Sequence, residues 1–382
     1  AVQGPPGAGK SFNGGRVSAD LVKTYGWKIG VVSQGHATIE NLLQSVSDAG
    51  LPRNLIGKAV KNEQKPEEVN ALPSTKWTSF ENTKYRGFMD NNRAFVVGGT
   101  VFEFVKTENF PHEGLDLLVI DEAGQFSLAN TIAASTAAKR LLLLGDPQQL
   151  PQVTQGTHPA PIDGSALGWL ADGHKVLPAE FGYFLPSSWR MNEQVCSVVS
   201  NNWYDSKLGS AAPVRKLEDS KPGVFPIAVG HQSNSTESPE EAEKVIEIVR
   251  DLLRKTWIDE KGCQMLLADA KENIIVVAPY NAQVQLIRAK LDSAGFRQIP
   301  VGTVDKFQGQ QAAVAIVSMT ASSAMDVPRG IEFLFMPNRL NVAISRAKWA
   351  AYLLYSPALL DYRPTNVDNL RLLSKFLNLV GV

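Results

Sequence analysis

Gly4-Pro5-Pro6-Gly7-Ala8-Gly9-Lys10-Ser11 fits the pattern G-x-x-x-x-G-K-[ST], in which a glycine-rich turn opens a helix. Backbone N–H groups of such a turn face a polyphosphate, and the helix N-terminus stabilises the anion. Lys10 can reach the β and γ oxygens, and the Ser11 hydroxyl is placed to ligate Mg²⁺. The chemistry is binding of a nucleoside triphosphate. Hydrolysis needs two further groups, a metal-holding acid and one that orients water. The apolar run Leu117-Leu118-Val119-Ile120 ends in Asp121-Glu122, which supplies both: Asp121 for the metal, Glu122 to orient and deprotonate the water. Leu141 to Leu144 leads into Gly145-Asp146-Pro147-Gln148-Gln149-Leu150, bringing Gln149 to the same edge. An uncharged amide senses a γ-phosphate without acting as a base, although Gly-Asp-Pro is also a good turn.

These groups need strands that end together and helices that follow them. Short apolar runs at Ile29–Val32, Ala94–Val97, Leu115–Ile120 and Leu141–Leu144 read as buried parallel strands, with helices from Lys10 to Tyr25 and from Thr38 to Ala49. A second set follows at Ile274–Ala278, Val314–Met319 and Ala350–Tyr355, with a helix over Ala282–Ala294. The fold class is α/β, with two RecA-like doubly wound parallel-sheet domains expected at 1–180 and 181–382, the boundary following the Pro- and Gly-rich stretch 158–173. Ser238-Pro239-Glu240-Glu241 is a helix start, with Ser as N-cap and Glu three residues on. Residues 53–95 fit neither sheet and read as an insertion in the first domain, with eight Lys/Arg against five Asp/Glu. Its Trp77, Phe80, Tyr85 and Phe88 serve either as the core of a small subdomain, the favoured reading, or as a stacking clamp on a single strand.

A chain of 382 residues suits two domains. Its 38 basic and 38 acidic residues balance, so a polyanion would be held by a local groove rather than a globally basic surface. Cys196 and Cys263 lie outside any metal-ligand spacing and read as buried thiols in a reducing, cytoplasmic compartment. No stretch approaches the ~18 apolar residues of a membrane span. A start so close to Gly4 reads as a piece of a longer chain, and a monomer is expected.

The order of these segments resembles the superfamily 1 helicases, in the branch of the nonsense-mediated-decay RNA helicase and the nuclease-linked replication helicases. The resemblance is nearest to the helicase half of bacterial RecB-like nuclease fusions. It runs through Gly4–Ser11, Asp121–Gln125, Gly145–Leu150, Ser188–Met191, Ala278–Gln283, Val304–Gln310 and Asn341–Lys348. It implies ATP and Mg²⁺ as cofactors, a single strand as track, travel from 5′ to 3′, and a nuclease domain upstream in the full-length chain. DNA is favoured over RNA. It assigns Arg190 and Arg346 as arginine fingers on the γ-phosphate, a role suited to a planar, permanently charged fork. It carries Phe12, Tyr280, Gly309 and Gln311 to the nucleotide, with Tyr280 stacking on adenine and Gln311 standing where relatives have Glu near the ribose. It carries Gln34 and His36 to the nucleic-acid backbone, with Gly35-His36 in place of the usual pair. Thr100, Thr303 and Thr320, at other strand ends, are phosphate-contact candidates or ordinary caps. The adenine-recognising Gln and the accessory domain that relatives carry ahead of the P-loop are missing from this sequence. A rival reading is an ATPase switch acting on a protein partner without translocating.

Overall fold

The computed structural model describes residues 1–61, 64–152 and 158–381. They divide into two compact units. The first comprises Ala1–Pro5, Gly9–Pro147 and Pro151–Leu185; the second comprises Pro6–Ala8, Gln148–Leu150 and Pro186–Val382.

The first unit is built on strands β1 (Val2–Gln3), β2 (Lys28–Val32), β3 (Ile56–Ala59), β4 (Thr78–Phe80), β5 (Phe95–Gly99), β6 (Leu117–Asp121), β7 (Leu141–Gly145) and β8 (Tyr183–Phe184). They form one parallel sheet in the order β4-β3-β5-β2-β6-β7-β1-β8. Successive residues of one strand feed opposite faces: Leu117 and Val119 join a core with Val22, Ile39 and Leu42, while Leu118 and Ile120 join Tyr85, Phe88, Phe104 and Phe126. A sheet covered on both faces explains why its strands read as continuous apolar runs.

Two expectations are corrected here. Residues 53–95 are not an insertion outside the sheet, because β3 and β4 extend its edge and Phe80, Tyr85 and Phe88 pack into the main core. Residues 62 and 63 of that stretch lie outside the described residues. The boundary also moves from 180 to Leu185, since β8 pairs with β1 and the stretch 158–173 folds within the first unit, where it supplies the helix Ala166–Ala171. Gln3, fully buried, fixes this closure: its amide donates to Asp146 Oδ1 (3.3 Å) and Lys175 O (2.9 Å), and its carbonyl accepts from Leu177 N (2.6 Å).

In the second unit the short strands β9 (Ser187–Ser188), β10 (Gly209–Ser210), β11 (Lys216–Leu217), β13 (Thr256–Ile258) and β14 (Gln264–Leu266) flank a parallel sheet. That sheet consists of β12 (Gly223–Ala228), β15 (Ile274–Val277), β16 (Val301–Gly302), β17 (Ala312–Ser318) and β18 (Ala347–Tyr355). Its order is β12-β18-β17-β15-β16. Pro226 lacks a donor and is tolerated because β12 is an edge strand. The helices Pro239–Leu252 and Asn281–Ser293 cover one face through Val245, Val249, Ile287 and Leu291. Ser238 caps the first of them, its Oγ accepting from Glu241 N at 3.1 Å. The Glu241 carboxylate does not complete a capping box. It accepts instead from Ser318 Oγ (2.5 Å) and Thr320 N (2.9 Å), and its other oxygen meets His231 Nε2 at 3.2 Å. Cys196 is buried but Cys263 is exposed, against the expectation of two buried thiols.

Candidate nucleotide and strand sites

In the first unit the nucleotide candidates gather where β1, β6 and β7 end. Gly4 N–H donates to Gly145 O (2.9 Å), pinning the start of the loop to the end of β7. Pro5 and Pro6 have no N–H, so the donors available to an anion come from Gly7 onward. Gly9 caps the helix Lys10–Tyr25 in the left-handed region, at φ 79°. Lys10 Nζ donates to Gly4 O at 2.7 Å, folding back across the loop.

Asp121 is 1% exposed at the end of β6. Its Oδ1 accepts from Glu122 N (2.9 Å) and its Oδ2 from Ser11 Oγ (3.4 Å). Burial first, and the adjacent Glu122 carboxylate second, push its carboxyl up to about 7 against the pull of the Glu122 N–H, Lys10 and Ser11. A buried acid whose charge is this costly, next to a hydroxyl, suits a small hard cation that keeps water and phosphate as its remaining ligands. Among the described residues there is no cluster of three or more His, Cys, Asp or Glu that could hold a metal without such outside ligands. Glu122 turns into the left-handed region at φ 55°, which costs a non-glycine residue about 1 kcal/mol. The turn is pressed against the end of β7: a Cβ on Gly124 would lie 2.3 Å from Asp146 O, and one on Gly145 would lie 2.5 Å from Gly124 N. Gln149 follows β7 and is buried. Phe12 is exposed on the helix surface, with the Arg16 guanidinium 4.3 Å above its ring.

In the second unit Arg190, Gln311 and Arg346 converge at the edge where β17 and β18 begin. Arg190 Nε donates to Gln311 Oε1 (3.2 Å) and Nη1 to Ser345 O (3.1 Å). Arg346 is 2% exposed, with Nε on Val342 O (2.9 Å) and Nη1 on Gln310 O (3.1 Å). Gly309, at φ 77°, sits in the same turn. Tyr280 does not join them. It follows β15, so it lies at the opposite, C-terminal edge of the sheet, buried, its ring 5.6 Å from that of Phe333 and its hydroxyl without a partner. The aromatic beside the arginines is Trp189, one residue before Arg190 and 61% exposed. Its signal was adjacency to a functional arginine.

The strand candidates also separate. Gln34 and His36 follow β2, and Gln34 Nε2 donates to Gln125 O. Thr100 is a cap: its N–H (2.7 Å) and its hydroxyl both donate to Glu103 Oε2. Thr320 is fully buried at φ 71°, its N–H on Glu241 and its hydroxyl 3.2 Å from Ser318 Oγ, so it turns into the protein and not toward a ligand. Thr303 precedes the short turn Val304–Phe307 after β16, half-buried, with no side-chain cap bond.

Two parallel α/β units, one carrying a glycine-rich P-loop with its acidic strand end and the other a converging arginine pair, define a P-loop fold of two RecA-like domains. Family models described as "AAA domain" match residues 1–165 and 174–356. The chain belongs to the superfamily 1 helicases, and its relatives include the helicase SEN1 of Saccharomyces cerevisiae as well as DNA replication helicase/nucleases. It is 29% identical over 250 residues to the DNA polymerase alpha-associated DNA helicase A of Schizosaccharomyces pombe, covering 61% of this chain and 36% of the relative. It is 24% identical over 400 residues to the DNA replication ATP-dependent helicase/nuclease DNA2 of Bos taurus, covering 95% of this chain and 36% of that one. The chain therefore spans about a third of the length of these relatives. Among solved structures, the Arterivirus nonstructural protein 10 helicase in complex with DNA shares the fold at TM-score 0.50 and 14% identity, over 100% of this chain and 62% of that chain. Among the described residues, no helix is long and apolar enough to cross a membrane.

Proposed function

We propose that this chain is the ATP-hydrolysing motor of a helicase or translocase that moves along single-stranded nucleic acid, with DNA as the favoured track and 5′ to 3′ as the direction. The observation that carries the reading is the juxtaposition of Lys10, Ser11, Asp121 and the left-handed Glu122 at one strand edge. ATP binding draws Lys10 from the Gly4 carbonyl to the β and γ oxygens, while the Gly7–Lys10 amides hold the polyphosphate. Mg²⁺ held by Ser11 and Asp121 would supply charge neutralisation across the β and γ phosphates. Glu122 orients the attacking water and accepts its proton at a carboxylate oxygen. The helicase resemblance gives Arg190 and Arg346 the part of stabilising the charge that spreads over the transferred group. Trp189, not Tyr280, is the platform for the base. Alternation of grip between domains turns each cycle into a step.

The test is hydrolysis by the chain alone and with single-stranded DNA, single-stranded RNA or duplex DNA at fixed low salt. Strong stimulation by one single strand supports the motor and names its track. Hydrolysis indifferent to all three would sink the motor reading in favour of a switch acting on a protein partner.

A further inference from the structure

One cavity of the first unit lies apart from the nucleotide residues. It has a volume of about 150 Å³ and is lined by His36, Lys58, Lys61, Asn82, Tyr85 and Glu103, with the Gly98-Gly99 backbone closing it. The order β3-β5-β2-β6-β7-β1 puts this cavity at the C-terminal ends of β3, β5 and β2, while the P-loop and Asp121 occupy the ends of β1, β6 and β7. One sheet edge thus presents two polar sites side by side.

Two ammonium groups of the cavity converge on one carboxylate. Lys58 is 3% exposed, and its Nζ meets Glu40 Oε1 at 3.2 Å; Lys61 Nζ meets the same oxygen at 3.4 Å. One carboxylate oxygen therefore serves two ammonium groups. Glu103, which also lines the cavity, accepts from the Thr100 N–H and hydroxyl with Oε2 and adds a second negative charge. His36 shares a helix face with Glu40, four residues on, and its buried Nδ1 has no hydrogen-bond partner. Besides this shared carboxylate, Lys58 Nζ has the Ala59 carbonyl as acceptor at 3.2 Å, so the buried ammonium is held by one carbonyl and half of an ion pair. Burial pulls the Lys58 ammonium below the usual lysine range, and Glu40 only partly restores it.

We propose that Lys58, Lys61 and His36 form a subsite for one phosphodiester of the single strand, closed in the free protein by Glu40, which the phosphate displaces. The proposal rests on the motor reading and deepens it, adding β3 to a track otherwise drawn only through strand-end residues. The incoming phosphodiester takes the place of Glu40 as the negative partner of Lys58 and Lys61 and offers an acceptor to the orphaned His36 nitrogen. Glu40, on the exposed side, swings into water at little cost.

The experiment is fluorescence anisotropy with labelled oligo-dT and oligo-rU from low to moderate salt, on wild type, Lys58→Met, Lys61→Ala and Glu40→Gln, with a thermal melt of each. Lys58→Met is expected to weaken binding about tenfold and to lower the slope of log affinity against log salt by about 0.7. Lys61→Ala acts in the same sense, and Glu40→Gln tightens binding about threefold. Should Lys58→Met fail to fold, the exposed Lys61 and Glu40 variants decide. Wild type that binds while every folded variant matches it in affinity and slope overturns the subsite and leaves the motor reading intact. Wild type that binds neither oligonucleotide overturns both. Millimolar inorganic phosphate that displaces the strand in wild type more effectively than an equal concentration of chloride, and loses that advantage in Lys61→Ala, marks a free-anion site and overturns the strand assignment.

Discussion

Replacing Asp121 by Asn should stabilise the protein while destroying its hydrolysis. In the nucleotide-free protein the carboxyl is raised from 3.8 to about 7. The folded state therefore holds a proton that the unfolded chain releases, and stability falls as pH rises through that window, with the full penalty present above it. At about 1.4 kcal/mol per unit, three units of displacement cost on the order of 4 kcal/mol at pH 8 and less than about 2 kcal/mol at pH 5. Relaxation of the exposed Glu122 side would reduce this, so about 2 kcal/mol is a working figure for pH 8. An Asn keeps the acceptor for the Glu122 N–H, seen at 2.9 Å, and carries no charge. For a domain of this size the gain corresponds to a rise of roughly 4–8 °C in melting temperature. Calorimetry without Mg²⁺ or nucleotide, at pH 8 and pH 5, measures it. The variant should melt higher at pH 8, and the advantage should shrink at pH 5. Added Mg²⁺ should raise the wild type alone. A variant less stable than wild type at pH 8, or a gain equal at both pH values, would refute the argument that burial makes this carboxylate costly.

Glu122→Gln should retain ATP binding and lose turnover by roughly 100-fold or more; normal hydrolysis in a stopped-flow phosphate assay would remove Glu122 from its role. Gly124→Ala places a Cβ 2.3 Å from Asp146 O, a backbone atom that cannot rotate away, and should cost about 1–3 kcal/mol in urea denaturation. Trp189→Ala should raise the KM for ATP several-fold with kcat little changed, whereas Tyr280→Leu, which removes the ring, should leave KM unaltered; the opposite pattern in steady-state hydrolysis would return the base platform to Tyr280.

The long apolar runs of β2, β5, β6, β7, β15, β17 and β18 were legible in the sequence, because strands buried on both faces leave an uninterrupted apolar signature. The strands at and next to the sheet edges were not. β3 carries Lys58, β4 is three residues long, β8 two, and β12 contains Pro226, so none has a run to recognise. Asp121 and Glu122 were legible from their position after such a run. The position of Tyr280 could be read as well: it follows a strand, while Gln311 and Arg346 precede theirs, and in a parallel sheet those positions lie at opposite edges. The roles of Thr100 and Thr320 depend on partners far from simple spacing rules. Thr320 is held by Glu241, 79 residues away in the chain.

The hydrogen bond from Gln34 to the Gln125 carbonyl joins two stretches of chain that chemistry would otherwise treat separately. Gln125 lies three residues beyond Glu122, in the turn squeezed against the end of β7. A strand phosphate that turned the Gln34 amide away from that carbonyl would free the turn bearing Glu122 on one side. The amide would thus work as a clutch: engaged, it keeps fuel consumption idle; disengaged by the track itself, it lets consumption follow load. Such a linkage needs no large rearrangement, only one side chain with two competing acceptors.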